Sequence, residues 1–533
     1  MLGFNQDKRP TMLKSVTNSK SLYFVTLRRK AAVLKAFSPL AALLVLLTLG
    51  AGSASAADHD NDQDIRHLLN RITFGPTQTD LDRVKSIGVE RYIDEQLNPE
   101  SIKESDRVLD LIGRSDGLCL LPQDLFERYG DRSDRYLLNK DATDDEKKAI
   151  IKLKNEDSDK IYNDTVKGKI VSAIDSPRQL VEVMTDFWYN HFNIYRDKNQ
   201  DRILVGAFER QALRPFALGK FRDLLEATAH HPAMLVYLDN WQNTGPKPGA
   251  KGRFAGLNEN YARELMELHT LGVDGGYKQK DVTELARVLT GLGLPPDNKS
   301  KINPANLSRF GSYFDDGRHD QTPKEILGKV IDPRGQAEVE EALDMLAKSK
   351  ATAHHIAFQL AQYFVADVPP KSLVNRLAEK FEQSDGNMKD VLHALLTSRE
   401  FWDQKYYNNK FKTPFRFVAS ALRATGEIPD DAKPLAQFFR EQGMPLYYCL
   451  TPDGYKNTEA AWLNPDALLR RLSFSSNLGQ GRIGGLPKIK LDYPTVLANS
   501  DLALSDNSKA AVDGAQPPLK VGLLLGSPEF MYY

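Results

Sequence analysis

Residues 179–193 read QLVEVMTDFWYNHFN, and the spacing of this stretch decides the fold class. Leu180, Met184, Phe187, Trp188 and His191 recur at i, i+4, i+7, i+8 and i+11, one stripe of a helix. Asp186, Asn190 and Asn193 form a second, polar stripe beside it. His191 therefore turns toward the interior at the edge of a polar strip. A buried imidazole needs a partner for each nitrogen, and Asp186, about one turn away, is the expected orienter. The same periodicity recurs at 180–192, 221–230, 233–238, 261–271, 282–289, 337–346, 354–365, 373–381, 391–401 and 415–424, and convincing alternating strands are absent. The chain reads as all-α, an irregular multi-helix domain with few or no strands.

The N-terminus points to export. Arg28, Arg29, Lys30 and Lys35 precede an apolar run at 40–50, and Ser53-Ala54-Ser55-Ala56 follows with an Ala-x-Ala pattern. Residues 1–56 are thus expected to be an export signal peptide. The apolar run is shorter than the roughly 20 residues of a membrane span, so no stable span is expected after cleavage. Without that segment's eight basic residues and one aspartate, the balance falls from 71 against 71 to 63 basic and 70 acidic residues. A mildly acidic mature chain argues against nucleic acid as partner. The location is periplasmic or extracellular, where Cys119 and Cys449 can pair or stay free. Residues 57–483 read as the helical domain, with a charged insertion near 141–169 expected to be an exposed helix with loops. Residues 484–533 read as an irregular tail with a short terminal helix.

The chemistry-bearing stretch is 258–277, NENYARELMELHTLGVDGGY, which follows a Gly/Pro/Lys-rich entry at 244–254. On a helical projection Glu259, Arg263 and Glu267 share one face, with Glu264 at its border and His269 among the apolar residues. Arg263 lies four residues from both Glu259 and Glu267 and can pair with either. A solvated charged face explains this pattern, and so does a catalytic wall. Asn258 or Asn260 caps the helix.

Other histidines qualify as well. Glu226 and His230 share a face at i, i+4. His319-Asp320 lies on a turn before Thr322-Pro-Lys-Glu325, which resembles a capping box that starts a helix. His354 and His355 open an apolar helix and read as structural. The chain lacks HExxH, CxxC, Gly-x-Ser-x-Gly, Walker and dinucleotide motifs.

Several segments together carry a resemblance: HLLNRITFGPTQTDLDRV, MTDFWYNHFN, LLEATAHHPAMLVYLDN, NENYARELMELHTLGVDGGYKQKDVTELARVLTG, GRHDQTPKEILG and WLNPDALLRRLSF. In order and spacing the chain resembles the bacterial domain-of-unknown-function 1800 family across nearly all its mature length. The resemblance implies an exported helical protein of unsettled activity, often encoded beside exported phosphatase-like or sulfatase-like partners. It assigns no catalytic roles. The chain departs from the family pattern at Leu292, where Trp is usual, and at 450–455.

Three functions follow from these residues. The first is an exported hydrolase of a polysaccharide or other envelope polymer. Glu264 or Glu267 would be the acid, Asp186 or Glu259 the base, with Arg263 beside them, and Tyr189, Tyr237, Trp241 and Tyr277 would stack on sugars. The second places a divalent metal among His191, Glu264, Glu267, His319 and Asp320. The third is a non-catalytic envelope scaffold or binding protein whose polar cluster is structural.

Overall fold

In the computed structural model, residues 59–533 are described except 132, 139–140, 247–255, 297–299, 301 and 489–490. The expected export signal and most of the 244–254 entry therefore lie outside the described residues.

The all-α reading holds. Each of the ten periodic segments contains a helix, among them Gln179–His191, Asn260–Glu267, Lys350–Phe364 and Pro414–Thr425. The helix Gln179–His191 runs through the core because its apolar stripe is wide. Trp188 is fully buried, donates from Nε1 to the Ala217 carbonyl at 3.0 Å, and packs among the rings of Phe187, Phe192 and Phe221. Among the described residues no helix is long and apolar enough to cross a membrane.

The charged insertion belongs to a single helix, Asp144–Asp175, opened by a capping box between Thr143 and Glu146. Its first half is solvated as expected. Its second half is core: Ile161, Val166, Ile170, Val171 and Ile174 are buried, and Lys169 goes in with them. The helix approaches its neighbours closely because Gly168 has no side chain. A Cβ there would lie 2.5 Å from Leu118 Cδ1.

Buried arginines close the N-terminal break at Gly75-Pro76. Arg416 Nη1 donates to the Asn70 and Thr73 carbonyls, and Arg423 donates to the Gly75 and Ile174 carbonyls and to Asp80. Cations at the end of the helix Asp62–Ile72 satisfy carbonyls that have no helical partner.

Two small antiparallel sheets complete the described residues: Leu292–Gly293 with Tyr313–Phe314, and Lys324–Ile326 with Lys329–Ile331. The second corrects the expected helix start at Thr322. Lys324-Glu325-Ile326 alternates buried, exposed, buried, Ile331 of the facing strand is buried while Val330 is exposed, and Leu327 and Gly328 adopt φ of 51° and 79°. Two left-handed residues between alternating segments make a hairpin turn, which outweighs the capping pattern. Beyond residue 484 the chain holds the helices Tyr493–Ser500, Asp506–Asp513, Pro517–Leu525 and Pro528–Met531. The Lys412 N–H donates to the Met531 carbonyl at 2.9 Å, joining this end to the core. Cys119 is exposed, Cys449 is buried, and both are free.

Candidate active site

The helix Asn260–Glu267 forms where the sequence predicts, with Asn258 Oδ1 accepting from the Asn260 N–H at 3.0 Å. Tyr261, Ala262, Leu265 and Met266 are buried, which turns the acidic residues outward. Glu259 is held at its edge: it accepts from Gln279 Nε2 at 2.6 Å, Thr283 Oγ1 at 2.7 Å and Arg263 Nη2 at 3.4 Å. Arg263 also donates to Gln279 Oε1 at 2.8 Å. Glu259 and Arg263 thus make a partly solvated surface network, the bland reading of this face.

Glu264 differs from both. It is half-buried, and its carboxylate accepts no hydrogen bond from a described residue. Burial, reinforced by the carboxylates of Glu267 and Asp453, raises its proton affinity against the pull of Arg263. Glu267, one turn on, accepts from the Tyr277 hydroxyl at 3.0 Å. Burial and that bond push the phenol up to about 12.

Asp453 was not foreseen. It stands on the loop at 450–455. The polar stripe of the Trp188 helix clasps this loop. Asn190 Nδ2 donates to the Tyr455 carbonyl at 2.8 Å and its Oδ1 accepts from the Tyr455 N–H at 2.7 Å. Asn193 Nδ2 donates to the Cys449 and Thr451 carbonyls at 3.0 and 2.9 Å. The Tyr237 hydroxyl donates to the Leu450 carbonyl at 2.9 Å. Gly454 has φ of 67°, and a Cβ there would lie 2.3 Å from the Asn190 carbonyl oxygen. The asparagines therefore position a loop and leave the chemistry to others. In the sequence only their shared face was visible.

The pattern of the family described as "Protein of unknown function (DUF1800)" matches residues 67–532 of this chain, which includes every one of these elements. The chain belongs to the DUF1800 family. No curated protein and no solved structure matches it.

The remaining candidates of this DUF1800 chain lie in separate networks. Asp186 does not orient His191. It pairs at 2.9 Å with Lys169, which also pairs at 2.9 Å with Glu209, and the Tyr447 hydroxyl donates to Glu209 at 3.2 Å. Burial opposes the ammonium form of Lys169, but Asp186 and Glu209 together raise its proton affinity. A lysine from the charged insertion entering the core is what the local pattern could not reveal.

His191 instead places Nδ1 2.7 Å from Gln359 Oε1 and Nε2 3.2 Å from the His269 carbonyl. Its ring lies 6.1 Å from that of His269 and 6.2 Å from that of His355. Burial and His355 push it down to about 3, outweighing the two oxygens it faces. His355 Nε2 lies 3.2 Å from the Leu268 carbonyl, so two histidines meet the last carbonyls of the glutamate helix.

His319 and Asp320 sit under the hairpin. His319 Nδ1 is 2.8 Å from the Thr290 carbonyl and Nε2 is 2.9 Å from Glu338 Oε1, while Lys324 Nζ meets Glu338 Oε2 at 2.5 Å. Asp320 accepts from Arg287 Nε at 2.8 Å and from the Thr322 N–H at 2.9 Å. Against the cost of burial, these bonds hold its carboxyl down at about 2. His230 meets Ser312 and Glu340 rather than Glu226.

The structure therefore brings Glu264 and Glu267 together and adds Asp453. It does not gather His191, Glu264, Glu267, His319 and Asp320 into one ligand set. Among the described residues no group of three or more His, Cys, Asp or Glu side chains is placed to hold a metal.

Proposed function

We propose that the protein is an exported cell-envelope hydrolase acting on a polysaccharide or other envelope polymer, with Glu264 as general acid. The supporting observation is the state of that carboxyl: half-buried, without a hydrogen bond among the described residues, and made more basic by burial, Glu267 and Asp453. A carboxyl whose proton affinity is raised beside other carboxylates suits protonation of a leaving oxygen, while a neighbouring carboxylate can stabilise positive charge. Glu267 and Asp453 are the carboxylates that act on Glu264, so the partner role moves to one of them; Tyr277 donates to Glu267, and Lys456 pairs with Asp453 at 2.6 Å. Of the expected stacking rings Tyr189 and Tyr237 are buried, and Tyr277 is the half-buried one beside Glu267. Export belongs to the same proposal through residues 1–56, and an exported phosphatase-like or sulfatase-like partner through the family resemblance.

The test is release of reducing ends from purified cell-wall sacculi by the mature chain, with and without added Zn²⁺, Mn²⁺ or Ca²⁺. Expected is an activity that falls as pH rises through the elevated range of Glu264, and a loss of about 100-fold in Glu264→Gln. Dependence on an added ion would favour a metal-assisted form. A folded chain that releases nothing from sacculi or other envelope polymers sinks the hydrolase reading. One observation then favours a scaffold: Asp186, His191, His319 and Asp320 are all closed into structural networks.

A further inference from the structure

A cavity of about 300 Å³ opens between the helix Asp62–Ile72, the entry to the helix Pro414–Thr425 and the C-terminal segment, with Arg66, Asn70, Asn408, Lys412, Glu529 and Phe530 in its lining. That volume is at the lower end of small-ligand sites. Lys412 is only 4% exposed, and its Nζ sits 3.8 Å from the centroid of the Phe530 ring. Its amine has no hydrogen bond or ion pair with any described residue. Lys410, two residues earlier, shows the ordinary solution, meeting Asp367 and the Asn457 carbonyl.

The surroundings of Lys412 are cationic. Arg416 and Arg471 stand beside it, both buried; among the described residues neither is in an ion pair and Arg416 Nη2 has no hydrogen-bond partner, while Arg471 Nη2 donates to the Lys412 carbonyl at 2.8 Å. The acid in the lining, Glu529, is engaged by the Ser505 N–H and the Ser508 hydroxyl, and Arg66 is engaged by Asp501. The side-chain amides of Asn70 and Asn408 are unbonded among the described residues. Leaving a buried basic group without a counter-charge costs several kcal/mol unless it sheds its proton or gains a partner.

We infer that this cavity is a binding site for a small oxyanion, a phosphate or carboxylate group, received by Lys412 Nζ with the amides of Asn70 and Asn408 as further donors. Burial with Arg416 and Arg471 drives Lys412 far below the usual lysine range. A bound anion supplies the missing counter-charge, and the amine takes a proton from solvent as it binds. The site is separate from Glu264 and does not depend on hydrolysis.

The test is thermal unfolding of the mature chain against inorganic phosphate and against acetate, with chloride at matched ionic strength. Expected is a saturable rise in Tm with phosphate or acetate, and the anion with the tighter midpoint identifies the group. Lys412→Met should fold, since an apolar chain of similar length replaces an unpaired amine, and should lose the saturable rise. A second measurement uses the unsubstituted chain: mass-spectrometric amine acetylation at Lys412 should slow at least ten-fold when the favoured anion is present. No rise beyond chloride, an equal rise in Lys412→Met, or unchanged acetylation each overturns the inference.

Discussion

Two glutamates on charged helices have met opposite fates. Glu338, near the start of the helix Gln336–Ala347, is fully buried and accepts from Lys324, from the Arg334 and Gly335 N–H groups at 2.7 and 2.9 Å, and faces His319. Burial would raise its proton affinity, yet Lys324, Arg334 and His319 bring it below the ordinary value. The Glu264 carboxylate is less buried and has no donor among the described residues, and its affinity moves up. The difference is whether donors reach the carboxylate. A charge that is fully met contributes to the fold, while one left unmet is available for chemistry.

The largest effect should come from breaking the satisfied side. Glu338→Ala strands Lys324 in the core and is expected to cost about 3–5 kcal/mol in unfolding experiments. A loss below about 1 kcal/mol would erase the distinction between the two glutamates. Next come the histidines beneath the glutamate helix and in the core. Burial sets both His191 and His231 at about 3, below the ordinary value of about 6.5 in an unfolded chain. Their contribution is complete above pH 6.5 and is lost as pH falls toward 3, at up to roughly 1.4 kcal/mol per pH unit for each. Tm measured from pH 7 to pH 4 should fall less steeply in His191→Phe than in the parent. The smallest effect belongs to the solvated edge. The 3.4 Å pair of Arg263 with Glu259 is over a third exposed, so Arg263→Ala should shift stability by no more than about 0.5 kcal/mol. A larger loss would place that edge with the structural networks instead.

Much of the fold was legible. All ten periodic segments became helices because a wide apolar stripe can be buried only one way. The hairpin at 324–331 was not legible, since its three-residue strands are too short for an alternating pattern to stand out against a good capping box. The interior half of the helix Asp144–Asp175 was hidden for a related reason. Its mixed charges look solvated until Asp186 and Glu209, distant in sequence, arrive to pair with Lys169. At the candidate site, Glu264 and Glu267 were visible from their spacing. Asp453 was not, because its position depends on Asn190 and Asn193 holding a loop more than 250 residues away.

The order of apolar and polar residues was enough to establish a helix-rich chain, the outward face of Glu259, Arg263 and Glu267, and the inward turn of His191. Such patterns are local, and helical periodicity records them directly. Which carboxylates found donors, which histidines met carbonyls and where Lys412 lost its counter-charge were decided only in the folded molecule. Hydrogen bonds and ion pairs reach a few ångströms, and tertiary packing alone brings those partners within that range.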